Sequence, residues 1–253
     1  MIRTETVFLE GEGERIEGLL CLPEEEKDSY PTVVAAHGFG GNYHFLTGNI
    51  AKRFAENGFA AFAFNFRNPD TRCMLNTTVL TEAKTLNIVL DRIRDLPFVD
   101  PDRLFLLGES QGGFVSAYVS ARREDIRRVI LFYPAFVLQD DAKRRNPDYA
   151  RPGYVYPETE VIGNNTVSGI YSEAALSFDI YDTIRAYHNP VLIVHGTADP
   201  VVPLSYSERA AETYANAKLE IIEGAGHGFY WGEPFDVSMR YAVSFLKEEI
   251  APL

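Results

Sequence analysis

Cysteine is scarce in this chain: Cys21 and Cys73 are the only 2 among 253 residues. That is too few for a disulfide scaffold or a cysteine-based metal centre, and free thiols in a reducing compartment are the expectation. Long apolar runs are missing too. No stretch is long enough for a signal peptide or a membrane span, and Met1 to Leu9 already alternates like a strand, so the reading is cytoplasmic, with no membrane partner. Positive charge is in deficit, with 24 Lys and Arg against 36 Asp and Glu, a formal net charge of −12. Nucleic acid would repel such a chain at long range and is not expected as a partner. His37, His44, His188, His195 and His227 show no His-x-x-x-His or carboxylate-paired spacing, which argues against a metal. Gly38-Phe39-Gly40-Gly41-Asn42-Tyr43 ends in tyrosine where a dinucleotide fingerprint needs glycine, and no cofactor is expected.

What is present is alternation of strand and helix. Candidate strands cover 2–9, 15–22, 31–37, 59–66, 103–109, 129–134, 190–195 and 218–223. Thr32-Val33-Val34-Ala35-Ala36 and Val191-Leu192-Ile193-Val194 are too apolar to have a wet face, so they belong inside a mostly parallel sheet. Val79, Ala83, Leu86, Leu90 and Ile93 fall at helical spacing within 77–95, and 205–217 and 235–249 are also amphipathic. The expected fold class is α/β, a mostly parallel eight-stranded sheet flanked by helices. A single core reaches roughly 250 residues, so the length suits one such domain with an insertion.

The insertion is placed at 135–187, too long for a plain crossover and carrying the turn signals Arg151-Pro152-Gly153 and Gly163-Asn164-Asn165. It reads as a cap or lid subdomain, a β-hairpin flanked by short helices, between core segments 1–134 and 188–253. Tyr154, Tyr156 and Tyr171 in it suit strand packing as well as a substrate wall.

The chemistry is carried by Gly108-Glu109-Ser110-Gln111-Gly112-Gly113, after the apolar run Leu104-Phe105-Leu106-Leu107 and before a helical pattern. A strand, a sharp turn and a helix present the Ser110 hydroxyl at the apex. A serine hydroxyl needs a base and a group to orient that base. His227, in a glycine-rich loop after Leu219-Glu220-Ile221-Ile222, is the candidate base, and Asp199, just past the strand 190–195, is the candidate acid. Asp140 and Asp141 are the rival acids, placed second because they lie within the insertion. The backbone N–H groups of Phe39 and Gln111 are the expected oxyanion donors, and His37 is read as loop-shaping.

Together, His37-Gly38-Phe39-Gly40-Gly41, Gly108-Glu109-Ser110-Gln111-Gly112-Gly113, His195-Gly196-Thr197-Ala198-Asp199 and Gly226-His227-Gly228 resemble the α/β-hydrolase superfamily over nearly the whole chain. Within it the chain is most similar to bacterial feruloyl (cinnamoyl) esterases with a small inserted lid. The resemblance implies a serine carboxylesterase of the α/β-hydrolase fold that releases hydroxycinnamic acids such as ferulate, p-coumarate or caffeate from plant-derived esters. It assigns Ser110, Asp199 and His227 as catalytic triad and the amides of Phe39 and Gln111 as oxyanion hole. The expected partner is a small aromatic ester, bound by a monomer or homodimer. Asp140, Asp141, Tyr154, Tyr156 and Tyr171 are the candidate substrate contacts. A short-chain acyl esterase, a monoacylglycerol-type lipase and a catalytically silent ligand-binding hydrolase fold are the alternatives. Two departures stand beside the site: Glu109 where histidine is common, and Arg67-Asn68-Pro69-Asp70 in place of a glycine-rich turn.

Overall fold

In the computed structural model of the protein, which describes residues 1–66 and 73–250, the chain opens with a hairpin of β1 (Arg3–Gly11) and β2 (Glu14–Leu22). Glu12 and Gly13 join them with positive φ angles of 49° and 77°, the pair of left-handed residues that matches the twist of two antiparallel strands. The chain then alternates: β3 (Tyr30–Ala36), α1 (Leu46–Glu56), β4 (Ala60–Phe64), β5 (Cys73–Met74), α2 (Val79–Arg94), β6 (Val99–Glu109), α3 (Ser110–Ser120) and β7 (Ile126–Phe132). The departure at Arg67-Asn68-Pro69-Asp70 lies outside the described residues.

After β7 come α4 (Leu138–Arg145), a short 3-10 turn at Pro147–Ala150, β8 (Thr159–Ile162), β9 (Asn165–Ser168), α5 (Ile170–Leu176) and α6 (Ile180–Ile184). Then β10 (Val191–Gly196), α7 (Leu204–Thr213), β11 (Ala217–Ile222) and α8 (Gly232–Ile250) complete the described chain. The main sheet has 8 strands in the order β1-β2-β4-β3-β6-β7-β10-β11. Every pair from β4 to β11 is parallel, and only β1–β2 and β2–β4 are antiparallel.

Side chains along the central strands alternate between two cores, as a period of two requires. Val34, Leu106, Leu131 and Ile193 point to the face covered by α2 and α3, with Leu86, Leu90, Phe114 and Val115 against them. Val33, Leu107, Ile130 and Val194 point to the opposite face, covered by Ile50 and Phe54 of α1 and Met239 and Leu246 of α8. Both faces are therefore dry, which is why these strands read as unbroken apolar runs. Burying each such side chain contributes about 1.5–3 kcal/mol, so the sheet is a rigid platform for what its strand ends carry.

The segment after β7 adds two strands to β5 in a small second sheet, β5-β9-β8, in which β8 and β9 are an antiparallel hairpin turning at Gly163 with φ 59°. Its last helix is not separate from the core: Ile180, Tyr181, Ile184 and Tyr187 join the large cluster on the α2–α3 face. Among the described residues no helix is long and apolar enough to cross a membrane.

Candidate active site

Ser110 sits where β6 ends and α3 begins, with φ 51°, in the left-handed region that a residue with a side chain rarely adopts. Two glycines allow this. A Cβ on Gly112 would lie 2.3 Å from the His37 carbonyl oxygen and one on Gly108 2.3 Å from the Gly112 carbonyl oxygen, so bare backbone lets α3 press against the ends of β3 and β6. The amide of Ala135 donates to the Ser110 carbonyl at 2.9 Å, which ties the turn to the residues after β7.

The hydroxyl faces an imidazole delivered from another strand end. His227 Nε2 lies 3.0 Å from Ser110 Oγ, and His227 Nδ1 lies 2.7 Å from Asp199 Oδ2. Because Oδ2 of an ionised carboxylate can only accept, Nδ1 carries the proton and Nε2 is left to accept from the serine. Asp199 Oδ1 accepts the amides of Val201 at 2.8 Å and Val202 at 2.9 Å. Burial pulls the Asp199 carboxyl upward, but hydrogen bonds from His195, His227 and these two amides outweigh it and hold the group well below the usual carboxylate range. Asp199 is thus an anion across the neutral range.

Residues 38–41 form a turn closed by Gly41 N–H to Gly38 O at 3.0 Å, with Gly40 at φ 66° in the third position, where only glycine fits without strain. Phe39, second in the turn, keeps its amide outside that bond. Among the described residues neither the Phe39 nor the Gln111 amide has a backbone acceptor; Phe39 lines the same cavity as Ser110, and Gln111 follows Ser110 at the start of α3. His37 shapes this loop from beneath: Nδ1 donates to Gly38 O at 2.7 Å and Nε2 accepts from Phe66 N at 3.1 Å. Burial lowers its pKa to about 4, so it is a neutral strut at pH 7.

Glu109 is buried beneath the serine, where Oε2 accepts from the Tyr133 hydroxyl at 2.8 Å and Oε1 from the Gly38 amide at 3.3 Å. Burial raises its pKa, more than these bonds lower it. Tyr133 adopts φ 37°, which ends β7 two residues earlier than the run 129–134 suggests, and its hydroxyl also accepts from the Phe229 amide at 3.4 Å. One phenol therefore links the histidine loop to the serine turn. Nothing in the local pattern around Tyr133 marks it for this.

The side chain of Gln111 is part of a second buried chain. Its Nε2 donates to Glu82 Oε2 at 2.8 Å, and its Oε1 accepts from the Tyr171 hydroxyl at 2.5 Å. Tyr171 also meets Phe39 edge-on, with ring centroids 5.5 Å apart. Tyr171 of α5 thus touches both the 38–41 turn and the first turn of α3. Burial raises Glu82 to about 8 from an ordinary 4.5. Between those values the folded protein holds a proton that the unfolded chain releases, so stability falls as pH rises, by at most about 1.4 kcal/mol per pH unit. Glu82→Gln removes this term and keeps an acceptor for Gln111. Its Tm relative to the parent protein is expected to climb steadily from pH 5 to pH 8, and thermal melts at a constant gap across that range would contradict the assignment.

Over Ser110 opens a cavity of about 600 Å³. Its walls are the 38–42 loop, Phe45, Glu109, Val201, His227, Tyr230 and Trp231. Phe45 and Trp231, the one tryptophan in the chain, are 64% and 79% exposed at its rim. The tyrosines and aspartates expected there from the insertion lie elsewhere. Tyr154 accepts from Asn146 at 3.0 Å and packs tilted against Tyr149 and edge-on against Tyr156, whose own hydroxyl donates to Tyr149 O at 2.8 Å. Asp140 accepts from the Tyr206 hydroxyl at 2.9 Å, and Asp141 is paired with Arg144. Among the described residues, none between 135 and 187 lines this cavity. The polar atoms of Asp140, Asp141, Tyr154 and Tyr156 are engaged with Tyr206, Arg144, Asn146 and the Tyr149 carbonyl, and that of Tyr171 with Gln111, while the walls come from loops of the main sheet. The sequence signal for those walls was Phe229-Tyr230-Trp231, three aromatics directly after the histidine loop.

Comparison with known proteins agrees with this arrangement of strands and loops. The chain matches the Alpha/beta hydrolase family over residues 33–238. It is 24% identical over 246 residues to the caffeoylshikimate esterase of Arabidopsis thaliana, a match covering 80% of this chain and 72% of that protein. A provisionally named carbamate hydrolase, RutD of Caulobacter sp. (strain K31), is 32% identical over 149 residues, 59% of this chain, and the match spans only 50% of that relative's length. Among solved structures, Est1E from Butyrivibrio proteoclasticus superposes with a TM-score of 0.84 at 23% identity, covering 98% of this chain and 99% of that one. The same protein with ferulic acid bound gives 0.84 at 22% identity, covering 97% and 100%. The chain belongs to the α/β-hydrolase family.

Proposed function

We propose that this α/β hydrolase cleaves carboxylic esters through an acyl-enzyme on Ser110, with hydroxycinnamoyl esters as its preferred substrates. In this reading His227 takes the serine proton as Ser110 Oγ attacks the ester carbonyl, and Asp199 stabilises the imidazolium that forms. The carbonyl oxygen becomes an oxyanion held by the amides of Phe39 and Gln111. His227 then gives its proton to the departing alcohol, and a water activated by the same imidazole releases the acid.

The observation that carries the aromatic preference is the wall of the cavity over Ser110, which Phe39, Phe45, Tyr230 and Trp231 line together with the serine. Planar acyl groups gain from edge and face contacts with such rings, about 0.5–1.5 kcal/mol per pair beyond the area they bury. The esterase named among the relatives and the ferulic acid held by Est1E lend the same reading support. We place the inserted segment 135–187 as a subdomain that braces the loops around the site through Tyr171, while Asp140, Asp141, Tyr154 and Tyr156 hold it together. A panel of methyl hydroxycinnamates and alkanoate esters ranked by kcat/KM tests the preference. Methyl ferulate and methyl caffeate are expected at least tenfold above butyrate and hexanoate esters, a difference of about 1.4 kcal/mol in the transition state. The reverse ranking would point to a short-chain acyl esterase.

A further inference from the structure

Asp199 is approached by a second imidazole. His195, at the end of β10, is fully buried, with Nε2 2.9 Å from the Val202 carbonyl oxygen and 3.2 Å from Asp199 Oδ2. On the far side of the ring, Nδ1 lies 2.6 Å from Ser207 Oγ in α7. Both oxygens facing Nε2 lack hydrogens, so Nε2 must carry the proton, while the Ser207 hydroxyl is free to rotate and donate to Nδ1. This fixes one tautomer of a ring that touches neither Ser110 nor the cavity.

We propose that His195 is a positioning residue for Asp199: its single Nε2–H, shared between the Val202 carbonyl oxygen at 2.9 Å and Asp199 Oδ2 at 3.2 Å, holds Oδ2 in the orientation that receives His227. The inference rests on the reading of Asp199 as the acid of the triad. Oδ1 is already committed to the amides of Val201 and Val202, which fix one edge of the carboxylate. Oδ2 serves His227 alone unless His195 also faces it. Without that second N–H the carboxylate is free to tilt about its last torsion toward either neighbour, since such sp³–sp² torsions are broad. A tilt loosens His227 Nδ1–H, and the imidazole loses the tautomer that leaves Nε2 able to accept from Ser110. The rigidity comes from outside the loop. His195 stands on a central strand, and Ser207 clamps its other nitrogen, so the ring transmits the position of β10 and α7 to the acid.

The first test uses the intact protein with nitrogen-15 in its histidines. The His195 shifts are expected to report the Nε2–H tautomer with Nδ1 unprotonated, and the Nδ1–H tautomer would overturn the proposal, because a lone pair would then face the carboxylate. The second uses His195→Leu and His195→Gln, with p-nitrophenyl acetate as the substrate. Misplacing a catalytic group by about 1 Å costs on the order of 100-fold, so kcat of the Leu variant is expected to fall 10- to 100-fold with KM within about twofold. The Gln variant, which keeps an amide N–H near the position of Nε2, is expected to recover most of that loss. Equal losses in the two variants at matched Tm, or a folded Leu variant with unchanged kcat, would show that the ring only fills space. If the Leu variant does not fold, the tautomer and the Gln variant still decide. Fluorophosphonate labelling of the parent protein separates the two readings: no labelling would remove the serine hydrolase assignment, whereas labelling with the wrong His195 tautomer would remove only this one.

Discussion

Ser110→Ala should leave a folded protein with essentially no ester turnover, a loss on the order of 10⁶-fold in kcat. The size follows from the way the group acts. With the hydroxyl gone there is no atom to form the acyl-enzyme, and His227, 3.0 Å from the missing oxygen, has only water to activate. The proposed oxyanion donors, the amides of Phe39 and Gln111, are left intact by the change, so a small residual rate above the uncatalysed reaction is expected. The fold should tolerate the change. The tie from Ala135 reaches the Ser110 backbone carbonyl and not its side chain, and alanine pays the same strain at φ 51° as serine does. Progress curves with an activated ester, together with an unchanged Tm, check this.

Asp199→Asn should cost about 10⁴-fold in kcat while leaving KM within a fewfold range. Asp199 accepts from the Val201 and Val202 amides on one oxygen and faces His227 Nδ1 and His195 Nε2 with the other. An asparagine must turn its NH2 toward one of these pairs of donors. Either the backbone contact is lost or His227 is met by a donor and rotates its proton to the wrong nitrogen. Asp140→Asn and Asp141→Asn serve as controls and should stay within about threefold, as expected for surface groups paired with Tyr206, Lys143 and Arg144. A large loss at Asp140 or Asp141 with near-normal turnover at Asp199 would reverse the assignment of the acid.

The parts of this arrangement that could be read in the sequence are those fixed by short-range pattern. Runs such as Thr32 to Ala36 and Val191 to Val194 announce strands dry on both faces, and the main sheet places both between neighbouring strands, β3 in the middle and β10 next to the edge strand β11. Serine, aspartate and histidine each follow one of the parallel strands β6, β10 and β11, so their meeting at one end of the sheet is a consequence of parallel strands ending together. Parts that depend on distant side chains could not be read. Glu82, Gln111 and Tyr171 form one chain although Tyr171 and Gln111 are 60 residues apart, and Tyr133 and Glu109 are buried partners 24 residues apart. Tyrosines of the insertion have the composition of a substrate wall, but composition does not say which way a ring points. Tyr154 and Tyr156 spend their rings on each other, and the wall is built from Phe45, Tyr230 and Trp231 instead. Helix ends slipped for a similar reason: α7 stops at Thr213, before the expected 217, because Tyr214 turns to extended backbone and buries its ring in the core.

The claim on which the rest depends is that Ser110 is the nucleophile of a working triad. The direct measurement is to treat the protein with a fluorophosphonate and locate the adduct by peptide mass spectrometry. The account predicts one adduct, on Ser110, formed slowly in His227→Ala and not at all in Ser110→Ala. An adduct on another residue, or labelling that persists undiminished in Ser110→Ala, would contradict it.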